Sequence, residues 1–325
     1  MPYWQLVTRS FGISWRHRYL WLLALFAGES GGGVSFNSST SQPIGSTGGK
    51  GNFPDFSSVP QQVSNWLGQH ISLIVAVAVL FILLAIAFFI LAAVCEGAVV
   101  RASAEHDAER PFGLGIAWRC GVATMGTIIR LRLLLLVLGL PVFIVLLALI
   151  AGFVVALSAH SAGAAVAFGL IGLIVILAAI PYSIYLSFLN FLGARAAVLE
   201  QLGARAALVR GHRLVRKRLG RVLLVWLVGI ATAIGVGLCA AVVLAILVVP
   251  ASLVAIFAFT SGSAVLWLAF AIIVLILVPV VLIVQGFVFA QGSTYWTLAF
   301  RRLEIDQAPA YGYAYPQAAP PQGTA

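Results

Sequence analysis

Seven cations stand in the stretch ARAALVRGHRLVRKRLGRVLLVWL, residues 204–227, out of 19 lysines and arginines in the chain. Arg205, Arg210, Arg213, Arg216, Lys217, Arg218 and Arg221 are the residue types that bind phosphate through charge-assisted hydrogen bonds. The same stretch then runs without a break into hydrocarbon. The chemistry on offer is anion recognition, and the question is which anion.

Other chemistry-bearing residues are sparse. Cys95, Cys120 and Cys239 have no paired spacing and read as small core residues. His17, His70, His106, His160 and His212 are scattered; only His106 has acidic neighbours (Glu105, Asp107, Glu109), a pattern that reads as solvated charge. Ser158 and His160 lie at a span end with no acidic third member. GESGGG follows no strand and opens no phosphate-binding helix, so it reads as a flexible loop. No catalytic residue, metal site or cofactor is expected.

The elements that hold the cations are set by composition. The 325 residues are 62% hydrophobic and 9% charged, against about 25% charged in a soluble domain. Water is therefore not the main solvent. Five apolar runs, 71–94, 131–157, 164–192, 222–249 and 264–288, each reach the roughly 20 residues a helix needs to cross about 30 Å of hydrocarbon. In that medium backbone groups must be paired within the segment, so helix is the expected conformation. A sixth, shorter span is expected at 11–28, where Arg16, His17 and Arg18 interrupt the first turn. A cleavable signal peptide is its rival, opposed by a long leader and a poor cleavage site at Leu25-Phe26-Ala27. The expectation is an all-α bundle of about six spans within residues 1–302, with three repeated helical hairpins as its further reading, followed by a disordered tail at 303–325.

Alternating spans put 18 of the 19 lysines and arginines on one side, in residues 1–10, 95–130, 193–221 and 289–325 together with the polar starts of the first and third spans; only Lys50 falls opposite. Positive residues collect on the cytoplasmic side, so both termini are expected there, in a plasma-membrane protein. The loop 29–68 is rich in Gly, Ser and Thr and is expected to be flexible. At its end Val59, Val63, Trp66 and Leu67 suit a short helix on the outer interface.

Three stretches, VTRSFGISWRHRYLWLLAL, GIAWRCGVATMGTIIRLRLLLL and ALVRGHRLVRKRLGRVLLVWL, each carry arginines at intervals before a span. They suggest a repeated unit of interfacial helix, span out and span in. In the third, Leu208, Val215, Leu219 and Val222 share a narrow sector at 100° per residue, with Arg210, Arg213, Arg216 and Lys217 opposite. Such a helix is expected to lay its apolar face in the acyl boundary and its cations among lipid phosphates.

The stretch ARAAVLEQLGARAALVRGHRLVRKRLGRVLLVWLV and the opening SWRHRYLWLLALFAG resemble a broad family of prokaryotic six-span membrane proteins, which includes the membrane domain of some glycerophosphoryl diester phosphodiesterases. The resemblance implies a helical membrane domain. In the phosphodiesterases catalysis belongs to a separate soluble barrel, so that activity is not carried over.

Polar groups and prolines inside spans are the remaining places to look. Tyr182, Ser183, Tyr185, Ser187 and Asn190 occupy the fourth span, with Gln285 and Gln291 at the end of the last. Pro141, Pro181 and Pro279 interrupt three spans and Pro250 ends another; kinks that help packing are the plain reading. No carboxylate sits near a span midpoint, which weighs against an ion-coupled pump.

The leading expectation is a non-catalytic integral membrane protein, lipid-interacting or a scaffold. Its partners would be lipids of the anionic cytoplasmic leaflet, and a membrane protein or a second copy of the chain is the further option. Nucleic acid is not expected, since no binding fold surrounds the cations. The second reading is a transporter or permease with a cavity near Asn190, Gln285, Pro181 and Pro279; the third is a membrane enzyme.

Overall fold

The computed structural model describes residues 4–27, 59–159 and 161–305, with 59–69 and 305 by backbone alone. His160 and most of the expected flexible loop and tail lie outside these residues. The described chain forms α1 (Trp4–Arg16), α2 (Tyr19–Ala27), α3 (Val59–Asp107), α4 (Leu114–Ser158), α5 (Ala162–Leu199), α6 (Ala204–Lys217), α7 (Leu219–Ser261) and α8 (Ala264–Ile305), with no strand among the described residues. The fold is an all-α helical bundle.

Helices α3, α4, α5, α7 and α8 are long and apolar enough to cross a membrane. Each is much longer than its apolar run. The connections expected at 95–130 and 193–221 are therefore largely helical: α3 continues to Asp107, α4 starts at Leu114, α5 continues to Leu199, and only short turns remain. The physical reason is that a hydrocarbon boundary does not end a helix. The sequences beyond it (EGAVVRASA, GVATMGTII, GARAAV) contain no proline and many alanines, so the ladder propagates. Residues 59–68 are likewise helical and continuous with the span that follows, rather than a separate helix, and 303–305 complete α8.

The segment expected as a short first span carries two helices, α1 and α2. Arg16, His17 and Arg18 break it, and the nine residues of α2 extend only about 14 Å. Of the three interfacial helices expected, α1 and α6 are separate, while the second is the unbroken first half of α4.

Burial divides the molecule along its length. The segments around 93–105, 188–198 and 290–303 are almost wholly buried, joined by one face each of α1, α2, α6, the start of α4 and the start of α7. This head is made by small residues and by α1 lying across α8 and α3. Beyond it, residues 71–90, 133–158, 162–187, 230–261 and 264–285 are mostly exposed apolar surface, as expected of helices solvated by lipid. The antiparallel pairs α4–α5 and α7–α8 leave the head as two hairpin arms.

Polar ties concentrate in the head. Ser14 Oγ and Ser103 Oγ lie 3.3 Å and 3.0 Å from Thr294 Oγ1, and Gln291 donates to Ser10 Oγ at 3.4 Å, linking α1, α3 and α8. Trp296, 1% exposed, stacks on Phe191 with ring centroids 4.9 Å apart. The Tyr295 hydroxyl donates to the Val225 carbonyl at 2.7 Å, passing over Gly229. Trp15 and Trp21 pack on Phe287 where α8 passes from arm to head, the level at which aromatic side chains favour a bilayer interface.

Candidate functional site

The basic stretch folds as α6 and the first turn of α7. Gly203 starts α6 from an extended conformation, and Arg218, at φ −136° and ψ 37°, breaks it before α7. Its buried face is Ala204, Ala207, Gly211, Leu214 and Val215, pressed on the end of α5. A Cβ at Gly211 would lie 3.4 Å from the Gly193 nitrogen, so this glycine sets a close helix crossing rather than a bend.

The expected acyl-facing sector is therefore corrected. The face is apolar as its periodicity implies, but it is covered by protein, because small residues at 204, 207 and 211 let a helix approach. Val215 and Val222 are buried, Leu208 is half-buried, and the break at Arg218 turns Leu219 outward.

The seven cations separate into two groups. Arg210 bridges Glu200, at 3.3 Å, and Glu304, at 3.1 Å, joining α6 to the ends of α5 and α8. Burial, and then the neighbouring Glu304 charge, push the Glu200 carboxyl above the usual carboxylate range. Arg218 donates to the Leu303 carbonyl at 3.5 Å, at the C-terminal end of α8 where a cation is favoured. Arg205, Arg213, Arg216, Lys217 and Arg221 remain on the exposed surface.

A groove of about 650 Å³ opens where α4 leaves the head. Arg130, Leu133, Leu134 and Val137 form one wall, and Gly203 and Arg205 at the start of α6 form the other. A second, of about 860 Å³, is lined by Arg16, His17, His106, Arg110 and Phe112. There the His17 and His106 rings stack at 3.6 Å, and His106 Nε2 lies 2.5 Å from the Tyr19 hydroxyl. The neighbouring carboxylates are engaged by arginines: Glu105 with Arg101 and Arg110, and Asp107 with Arg9 and Arg301 at 2.6 Å each.

Other residues singled out from the sequence are placed apart. Pro141, Pro181, Pro279 and Gln285 are exposed, Asn190 is half-buried, and neither groove includes them. Tyr182 donates to the Leu138 carbonyl at 2.7 Å, three residues before Pro141. Pro141 removes the N–H donor of the Val137 carbonyl one residue earlier, so the Tyr182 hydroxyl adds a donor at the turn where the helical ladder is weakened. Ser183 and Ser187 donate back to their own helix, and Tyr185 pairs with His212. Gln291 proves to be the start of the polar seam with Ser10 and the Thr294 cluster.

Three ties were not read from the sequence, which placed Glu96 and Arg132 at span ends as snorkelling charges. Glu96, 1% exposed, accepts from Arg132 at 2.5 Å, and Arg132 also donates to the Ala27 carbonyl at 3.1 Å, closing the end of α2. Arg195, counted among loop cations, is fully buried and donates to the Phe191 and Ser293 carbonyls. Ser103 and Thr294 carry the seam between α3 and α8. The spacing of Gln291 and Thr294, one helical turn apart, was the available signal.

Together these features define a helical membrane protein: five helices of spanning length and apolarity, a polar-seamed head, and an exposed cationic rim on that head. The chain belongs to the family of unknown function DUF7544, which matches it over residues 8–299. Nothing in that match connects it with glycerophosphoryl diester phosphodiesterases. No curated protein and no solved structure matches the chain.

Proposed function

We propose that this is a non-catalytic integral protein of the cell membrane that gathers anionic lipid around its head, with both termini cytoplasmic. The observation that carries this reading is the exposure of Arg205, Arg213, Arg216, Lys217 and Arg221 together on α6 and the first turn of α7. Each cation held near an anionic leaflet contributes about 1 kcal/mol. The bias of 18 cations to one side of the expected topology supports the cytoplasmic assignment. The resemblance of residues 194–228 to the membrane domain of glycerophosphoryl diester phosphodiesterases supports a lipid-facing domain. Scaffolding of a membrane protein partner, or of a second copy, is a further use of the same rim.

The test is lipid selectivity in bilayers of phosphatidylcholine with a minor share of phosphatidylglycerol. Spin-labelled phosphatidylglycerol is expected to be immobilised in excess over phosphatidylcholine by the natural protein. Replacing Arg213, Arg216 and Lys217 by Gln is expected to reduce that excess. Equal selectivity in the variant would overturn the reading.

A further inference from the structure

The groove between α4 and the start of α6 differs from the rest of the rim in having both a charged mouth and an apolar wall. Arg130 and Arg205 line it, both exposed, and neither lies within ion-pair distance of a carboxylate among the described residues. Two guanidiniums with no carboxylate between them repel, and an anion placed at the mouth would relieve both. Phosphate is the anion their forked donors fit best. Leu133, Leu134 and Val137 continue from the mouth onto the lipid-exposed arm; Leu133 is 51% and Val137 63% exposed. Arg130 and Arg132 are the last charges before the apolar run of α4, so the mouth sits where headgroups meet acyl chains.

We infer that this groove holds one anionic phospholipid, its phosphate between Arg130 and Arg205 and an acyl chain along Leu133, Leu134 and Val137. The inference deepens the lipid-gathering reading by assigning a discrete site within it. An acyl chain explains the apolar wall, which a free anion would leave unused. The space is not closed by protein: a Cβ at Gly203 would meet nothing within 4 Å, and its φ of −64° suits any residue. A large side chain there can fill the groove with both arginines intact.

The test is native mass spectrometry of the detergent-purified full chain, titrated with phosphatidylglycerol or with phosphatidylcholine of the same acyl chains. One phosphatidylglycerol is expected to be retained, saturably and in preference to phosphatidylcholine. R130Q/R205Q and, independently, G203F are each expected to reduce its retention at least tenfold, with R119Q/R216Q, two exposed cations outside the groove, as the control of equal net charge. Retention undiminished in either variant, equal retention of phosphatidylcholine, or displacement by excess inorganic phosphate would overturn the site. The Arg213, Arg216 and Lys217 face is read separately in the bilayer assay. Loss of the single lipid in R130Q/R205Q with no selectivity change in that assay would sink the broader reading and leave the site standing; the opposite pair of results would sink the site alone.

Discussion

A Cβ added to Gly121 would lie 2.2 Å from the carbonyl oxygen of Val94, so α4 meets α3 backbone to backbone. Gly97 faces the same crossing, its added Cβ 3.3 Å from the Gly121 Cα. No rotamer change relieves a clash with a carbonyl. Gly121→Ala is therefore expected to destabilise the head by at least about 2 kcal/mol, as overpacking does. Gly126→Ala, on the same helix with open space around it, is expected to be neutral or stabilising by up to about 1 kcal/mol through helix propensity. Thermal melting of the two variants in detergent checks the contrast.

The Glu96–Arg132 pair gives a second prediction. Glu96→Gln leaves the Arg132 guanidinium in a half-buried site with the Ala27 carbonyl as its remaining named acceptor. Breaking a buried pair from one side costs about 3–5 kcal/mol, and the 22% exposure of the Arg132 side chain places this case at the lower end. The double variant Glu96→Gln with Arg132→Met is expected to recover much of the loss. A cycle of melting temperatures measures the coupling.

The shared guanidinium of Arg210 predicts a pH dependence. Glu200 has its folded pKa raised, by burial and then by Glu304, above the ordinary value of 4.5. A carboxyl raised in this way contributes stability that is complete below the ordinary value and is lost as pH rises through the folded one. Glu200→Gln is expected to flatten the stability profile across that window. Arg210→Gln leaves two carboxylates facing one another, and its penalty is expected to be larger at about pH 8 than at about pH 5. Chemical unfolding at a series of pH values separates the two outcomes.

Tyr182 and Pro141 are expected to be coupled. Tyr182→Phe removes the hydrogen bond to Leu138, a loss of about 1 kcal/mol. In a Pro141→Ala background the Val137 carbonyl regains its N–H donor and the ladder through Leu138 tightens, so the same substitution is expected to cost less. Additive losses in a double-mutant cycle would show that the hydroxyl does not serve the turn weakened by Pro141.

The long apolar runs were legible in the sequence because hydropathy over some 20 residues leaves helix as the sole solution. The basic face of α6 was also legible, since Arg213, Arg216 and Lys217 follow the helical period. What covers the opposite face was not. Ala207 and Gly211 are as compatible with lipid as with protein, and only the position of Gly193 on α5 decides between them. The fate of Arg195 was hidden for a similar reason. Its charge marks it as a loop residue, whereas its acceptors, the Phe191 and Ser293 carbonyls, include one 98 positions away. The break after Arg16 was visible as a charge cluster, but not its consequence, because the partner that closes the end of α2 is Arg132 on a different helix.

The two hairpins are joined to the rest of the molecule at one end only. The apolar run 133–158 is about 39 Å long at 1.5 Å per residue, more than the roughly 30 Å of bilayer hydrocarbon. Such a mismatch is accommodated by tilt. With the pivot fixed in the head, tilt becomes separation of the far tips, in the manner of a pair of callipers. A thinner bilayer is therefore expected to open the angle between α4–α5 and α7–α8, which spectroscopic distances between labels at the two far tips would measure.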